Sequence, residues 1–211
     1  MQPQPASRGS HNGHPQPRPR MVAVGGMPAS GKTTLMLRVL ARLCQRERPS
    51  LYAYGLVRGH LFAAQRVLVL GVYDGTDYAG TDKLAMDVLR DAPVFLHDLA
   101  LPQWQGWTIL LEGDRLVCHR FLAMARKVCD LTVYLLEAAA SVQAQRHRTR
   151  GDRQNPTWLA GRATKYAGIA AQYPHAVLAH NTPADLARAA DVLLLALAHS
   201  VPTATRVAPA T

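Results

Sequence analysis

The stretch MVAVGGMPASGKTT, residues 21–34, decides how the rest of the chain is read. Its first half is an apolar run of strand character. Its second half contains Gly26-x-x-x-x-Gly31-Lys32-Thr33, the complete pattern of a phosphate-binding loop. The following KTTLMLRVLARL repeats apolar residues at turn spacing through Leu35, Val39 and Leu43, so the loop joins a strand to an amphipathic helix. The chemistry needs that frame. Glycines let the backbone from Gly26 through Met27, Pro28, Ala29 and Ser30 to Gly31 wrap a β-phosphate. Lys32 reaches the β and γ oxygens, and the Thr33 hydroxyl can ligate magnesium. Thr34 continues the first helical turn, whose dipole favours an anion.

Outward from this loop, short apolar runs alternate with helical patterns, which predicts parallel strands joined by crossover helices. The strands are expected at 21–26, 50–57, 66–73, 107–113, 131–138 and 175–181. WTILLEG (107–113) and LTVYLLEA (131–138) are almost continuously apolar, as strands covered on both faces must be. Thr182-Pro183 marks the start of the last helix. The expected architecture is a three-layer α/β/α domain with a mainly parallel sheet over residues 21–199. A basic, disordered arm precedes it at 1–20, where no Leu, Ile or aromatic residue occurs, and a frayed tail follows at 200–211.

The chain has 211 residues, enough for one domain with its own core, and a formal net charge of +10, which suits a polyanionic partner. Cys44, Cys118 and Cys129 show no metal-binding spacing and read as reduced core thiols, in keeping with a reducing cytoplasm. No apolar run is long enough for a membrane helix, and no secretory signal precedes the domain.

TILLEGDR (108–115) ends an apolar strand in Glu112, Gly113 and Asp114, and resembles a Walker B strand. A carboxylate there can hold the metal or a water bound to it, and either Glu112 or Asp114 can serve. RHRTRGDRQNPTWLAGRATK (146–165) gathers Arg146, Arg148, Arg150, Arg153, Arg162 and Lys165 where kinases of this class carry a lid. Arg146 and Arg150 are candidates to stabilise the transferring phosphoryl group; a solvated basic face is the alternative. Asn181 and Thr182 follow the last strand, where Asn181 either contacts a nucleotide base or forms a turn and Thr182 caps a helix. VYDGTDYAGTDKL (72–84) places Asp74, Asp77 and Asp82 at the carboxyl edge of the sheet, before a helix expected near Lys83. One of them, with Asp82 and Asp74 foremost, can take the proton of an acceptor hydroxyl, unless each merely caps or turns the chain.

Loop, carboxylate strand and arginine lid in this order resemble the small nucleoside and nucleotide kinases, and no base-reading N/T-K-x-D motif of a GTPase is present. GGMPASGKTT, YDGTDYAGTDKLAMDV, LLEGDR and RGDRQNPTWLAGRATK together resemble the bacteriophage 5-hydroxymethyluracil DNA kinases; GTDKL and QNPTWLAGR are the discriminating parts. The resemblance implies a P-loop NTPase fold and ATP with Mg2+. It also implies transfer to the hydroxymethyl group of a modified pyrimidine in DNA, a step of thymidine hypermodification that shields phage DNA from host restriction. On it the acceptor loop is 74–83, the lid is 146–165, and the enzyme works in the host cytoplasm. For DNA as partner, Tyr73, Tyr78 or Trp158 can stack on an extruded base or can equally be packing residues. A small-molecule kinase and an ATP-switched DNA-binding module are the other readings.

Overall fold

The computed structural model describes residues 17–75, 79–149, 151 and 154–198. The expectations for residues 1–16 and 199–211, and for Asp77, Tyr78, Arg150 and Arg153, lie outside the described residues.

A seven-stranded sheet runs through the domain in the order β2-β3-β4-β5-β1-β6-β7. Its strands are β1 (Arg20–Gly25), β2 (Ser50–Tyr54), β3 (Val57–Phe62), β4 (Val67–Leu70), β5 (Thr108–Glu112), β6 (Asp130–Glu137) and β7 (His175–Ala179). The helices are α1 (Lys32–Cys44), α2 (Ala92–Leu99), α3 (His119–Val128), α4 (Ala140–Thr149), α5 (Pro156–Gln172) and α6 (Pro183–Ala198). From β4 to β7 every neighbouring pair is parallel, as the alternation of strands and helices predicts. The β5 sequence TILLE is buried at every position, because it lies inside the sheet with helices on both faces.

Two cores flank the sheet. On one face α1 buries Leu35, Met36, Val39, Leu40 and Leu43, and α6 buries Ala189, Ala190, Leu193 and Leu197. On the other, α2, α3 and α5 contribute Phe95, Leu99, Phe121, Tyr166 and Ile169. The start of α6 is the capping arrangement read from Thr182: its hydroxyl accepts from Asp185 N at 3.1 Å, while the Asp185 carboxylate accepts from Thr182 N at 2.9 Å.

Four expectations need correction. Residues 50–57 are not one parallel strand but the start of an antiparallel hairpin: Tyr54 pairs with Val57 across the two-residue turn Gly55-Leu56, and β3 pairs antiparallel with β4. No helix begins near Lys83; a 3-10 turn at Thr81–Lys83 and another at Val88–Arg90 lead into α2. Arg18 and Arg20 belong to the domain rather than to an arm: Arg18 donates to the carbonyls of Val128 and Arg126, and Arg20 opens β1. Of the three free cysteines only Cys129 is a core residue, whereas Cys44 is exposed. Among the described residues no helix is long and apolar enough to cross a membrane.

The hairpin is held by α2. Phe95 is fully buried, with its ring 6.4 Å from that of Tyr52 and 6.2 Å from that of Tyr54. Phe95→Ala is expected to lower the unfolding free energy by about 3–5 kcal/mol, because the cavity opens between the helix and the β2 aromatics. Denaturant unfolding checks this, and a loss under about 1 kcal/mol would show that the hairpin does not depend on that ring.

Candidate active site

The site is assembled at the carboxyl end of β5. Glu112 is 1% exposed, and burial, against the attraction of Lys32 and a hydrogen bond from Thr33, pushes its carboxyl up to about 8. Among the described residues its buried Oε1 makes no well-formed hydrogen bond, with the Tyr73 hydroxyl as its neighbour. The Tyr73 hydroxyl lies in the same interior, also without a well-formed bond, and burial next to the Glu112 carboxyl raises it well above the ordinary phenol value. Gly80 covers this carboxyl at φ +77; a side chain there would bring a Cβ to 2.0 Å from Glu112 Oε1.

Lys32 comes from the phosphate loop. Its ammonium donates to Gly26 O at 2.8 Å and Met27 O at 3.1 Å, folding back over its own loop. Burial lowers its pKa, and the charges of Glu112, Asp114 and Asp82 oppose that shift. The acceptor-loop segment reaches the same place from the other side. Thr81 donates its hydroxyl to Glu112 O at 2.7 Å, and the Asp82 carboxylate accepts from Arg115 N at 3.1 Å. A backbone bridge between Val72 and Gly80 closes the loop above them. Burial, followed by repulsion from Asp114, raises the Asp82 carboxyl above its ordinary value.

Asp114 is differently employed. It accepts from Lys165 Nζ at 3.0 Å and from the Tyr166 hydroxyl, and Arg162 pairs with its second oxygen at 3.3 Å. Burial would raise its carboxyl, but the Tyr166 and Lys165 bonds outweigh burial and hold it below the ordinary carboxylate value. In this structure both Asp114 oxygens meet cationic or phenolic partners of α5, whereas Glu112 faces the phosphate-loop side. The Thr33 hydroxyl and the orphaned Glu112 oxygen do fit a hard cation, which takes one or two protein oxygens and completes its shell with phosphates and water.

The remaining expected residues divide. Arg146 sits on α4 with its guanidinium on the carbonyls of Ala29, Ser30 and His180. Asp74 is exposed and pairs with Lys83. Asn181 uses its side-chain oxygen to accept from Ala139 N at 2.7 Å, which ties the ends of β6 and β7 together. Thr34 is exposed on the first turn of α1. The sequence reading missed Thr81, Tyr166 and His180. Tyr166 lies one position beyond the basic run, and His180 directly precedes Asn181 at the strand end. A cavity of about 380 Å³ lies between the loop and α5, bordered by Gly26, Met27, Leu135, Tyr166, Ala167 and Ala170.

The raised pKa of Glu112 makes stability depend on pH. Between its ordinary value of 4.5 and about 8 the folded chain binds a proton that the unfolded chain releases, so this contribution is lost as pH rises through that window. Glu112→Gln removes the titration while keeping the shape. Thermal unfolding of the variant is expected to gain on the wild type from about pH 5 to about pH 8. Parallel pH profiles would show that Glu112 is already ionised in the folded chain.

The P-loop Nucleotide Kinase3 family model matches residues 18–188. No curated protein matches the chain. Among solved structures, a gluconokinase from Sinorhizobium meliloti 1021 is similar with a TM-score of 0.41 at 15% identity, over 86% of this chain and 99% of that one. The shikimate kinase from Acinetobacter baumannii in complex with shikimate gives 0.44 at 15% identity, over 87% and 96%. The Mycobacterium tuberculosis APS kinase CysC in complex with AMPPNP and APS gives 0.37 at 17% identity, over 85% and 98%. With its phosphate loop at the head of a mainly parallel sheet, the chain belongs to the P-loop Nucleotide Kinase3 family and is a nucleotide-dependent phosphotransferase.

Proposed function

We propose that the chain transfers the γ-phosphoryl group of ATP to a hydroxyl presented at Asp82, and that the acceptor is the hydroxymethyl group of 5-hydroxymethyluracil in DNA. The observation that carries the transfer is the convergence of Lys32, Asp82 and Glu112 on one partly buried point beside the phosphate loop. Lys32 draws charge from the β and γ oxygens. Asp82, held by the Arg115 amide and more basic than an ordinary carboxylate, takes the hydroxyl proton as the new O–P bond forms. Thr33 and Glu112 are the residues that would hold Mg2+, which neutralises phosphate charge when bound. Arg146 keeps the loop in shape, and Arg150 remains a candidate for stabilising the transferred group.

The DNA acceptor is supported by the resemblance of GTDKL and QNPTWLAGR and by the net charge of +10, which neutralises backbone phosphates. Asp82 and Glu112 are too enclosed for a stacked base pair to approach, so a base must be extruded or already unpaired. The same enclosure favours the second reading, a free nucleoside, nucleotide or other small hydroxyl compound.

Incubation with radiolabelled ATP and DNA containing 5-hydroxymethyluracil is expected to leave label in the DNA, with a phosphorylated nucleoside found by mass spectrometry after digestion. Label in free nucleosides alone selects the second reading. ATP-dependent retention of DNA without any labelled acceptor points to a nucleotide-switched binding module. Lys32→Ala abolishes transfer. Asp82→Asn is expected to lower kcat by about 10²–10⁴ while ATP affinity stays close to wild type. An unchanged kcat would remove Asp82 from the role of base.

A further inference from the structure

The carbonyl oxygens of the phosphate loop are held by two side chains from outside the loop, Arg146 and His180. Arg146 donates to Ala29 O at 3.0 Å and Ser30 O at 2.9 Å, and its other terminal nitrogen donates to His180 O at 3.0 Å. His180 Nδ1 meets the same Ser30 oxygen at 2.9 Å. A carbonyl only accepts, so the Nδ1 of His180 carries the proton. The residue is 5% exposed, and burial, with the neighbouring Arg146 charge and against the Ser30 hydrogen bond, lowers its pKa. Its backbone N–H donates to Glu137 O at 2.8 Å, anchoring it between β6 and β7.

The contact is intimate. Gly31 stands at φ +97, and a Cβ there would lie 2.1 Å from His180 Nδ1, so the imidazole fills the space of any side chain at position 31. A trans peptide points its C=O and the next N–H in opposite directions. Drawing the Ser30 oxygen outward to His180 and Arg146 therefore turns the Gly31 N–H toward the concave side of the loop, where a phosphate is bound by converging amides. Left to itself, a glycine-flanked peptide can rotate, and an inward carbonyl would repel the phosphate.

We propose that His180, together with Arg146, is a positioning residue for nucleotide binding: it locks the Ser30–Gly31 peptide with its amide toward the phosphate and couples α4 and the end of β7 to the loop. This rests on the reading that the loop holds a nucleoside triphosphate. The brace makes a separable claim, that affinity depends on one outward hydrogen bond from a residue away from the phosphates.

Calorimetry of magnesium ATP binding to the full chain tests it with His180→Ala, His180→Asn and His180→Gln. The alanine variant is expected to bind ATP about five- to tenfold more weakly, the worth of one net hydrogen bond. Asparagine places an amide N–H where Nδ1–H stands and restores most of that affinity. Glutamine, one methylene longer, stays as weak as alanine. Wild-type affinity in His180→Ala overturns the proposal, and so does equal binding by the Asn and Gln variants, which decide the matter if alanine prevents folding. A wild-type chain that binds no ATP sinks the nucleotide reading and the brace with it; ATP binding indifferent to His180 sinks the brace alone.

Discussion

The buried carboxyl of Glu112 is the constraint around which the site is built. Its side chain meets Thr33 of the phosphate loop and the Tyr73 interior, and its backbone oxygen receives Thr81. A carboxyl this enclosed is costly as an anion, so burial raises its pKa to about 8, while Lys32 turns to its own loop carbonyls. A cation held by Thr33 and Glu112 would favour the ionised carboxyl.

Around this point four segments far apart in sequence are fastened by backbone bonds rather than by side-chain pairs alone. Thr81 and Asp82 bind the main chain at Glu112 and Arg115, Lys165 binds the Asp114 carbonyl, and Arg146 with His180 binds the loop carbonyls. Backbone groups do not titrate and have fixed directions, so such fastenings set geometry more strictly than surface ion pairs do. The basic residues of α4 and α5 thus divide their work: Arg146 shapes the loop, while Arg162 and Lys165 secure α5 to Asp114.

The hairpin was illegible for a physical reason. VRGHLF carries Arg58, Gly59 and His60 between its apolar ends, a half-covered strand whose pattern is weak, and the Gly55-Leu56 turn lacks the usual Asn-Gly signal. The segment after Gly80 has apolar Leu84 and Val88 at helical spacing, yet the bonds of Thr81 to the end of β5 and of Asp82 to Arg115 just beyond it hold its start in a 3-10 turn. By contrast, the strands of the parallel sheet were readable, since burial on both faces demands uninterrupted apolar runs such as TILLE.

What the sequence by itself determined is the phosphate loop in its strand and helix frame, the mainly parallel sheet, the carboxylates at the strand ends and the last helix with its cap. These follow from local patterns of burial, glycine and capping that hold wherever the segment is placed. Which carboxylate is orphaned and which is saturated, and that His180 and Arg146 grip the loop, only the tertiary structure decided. Partners 31 and more than a hundred residues apart, as for Thr81 with Glu112 and Arg146 with Ser30, are brought together by crossover connections, and no local pattern records which side chain the fold will set beside which.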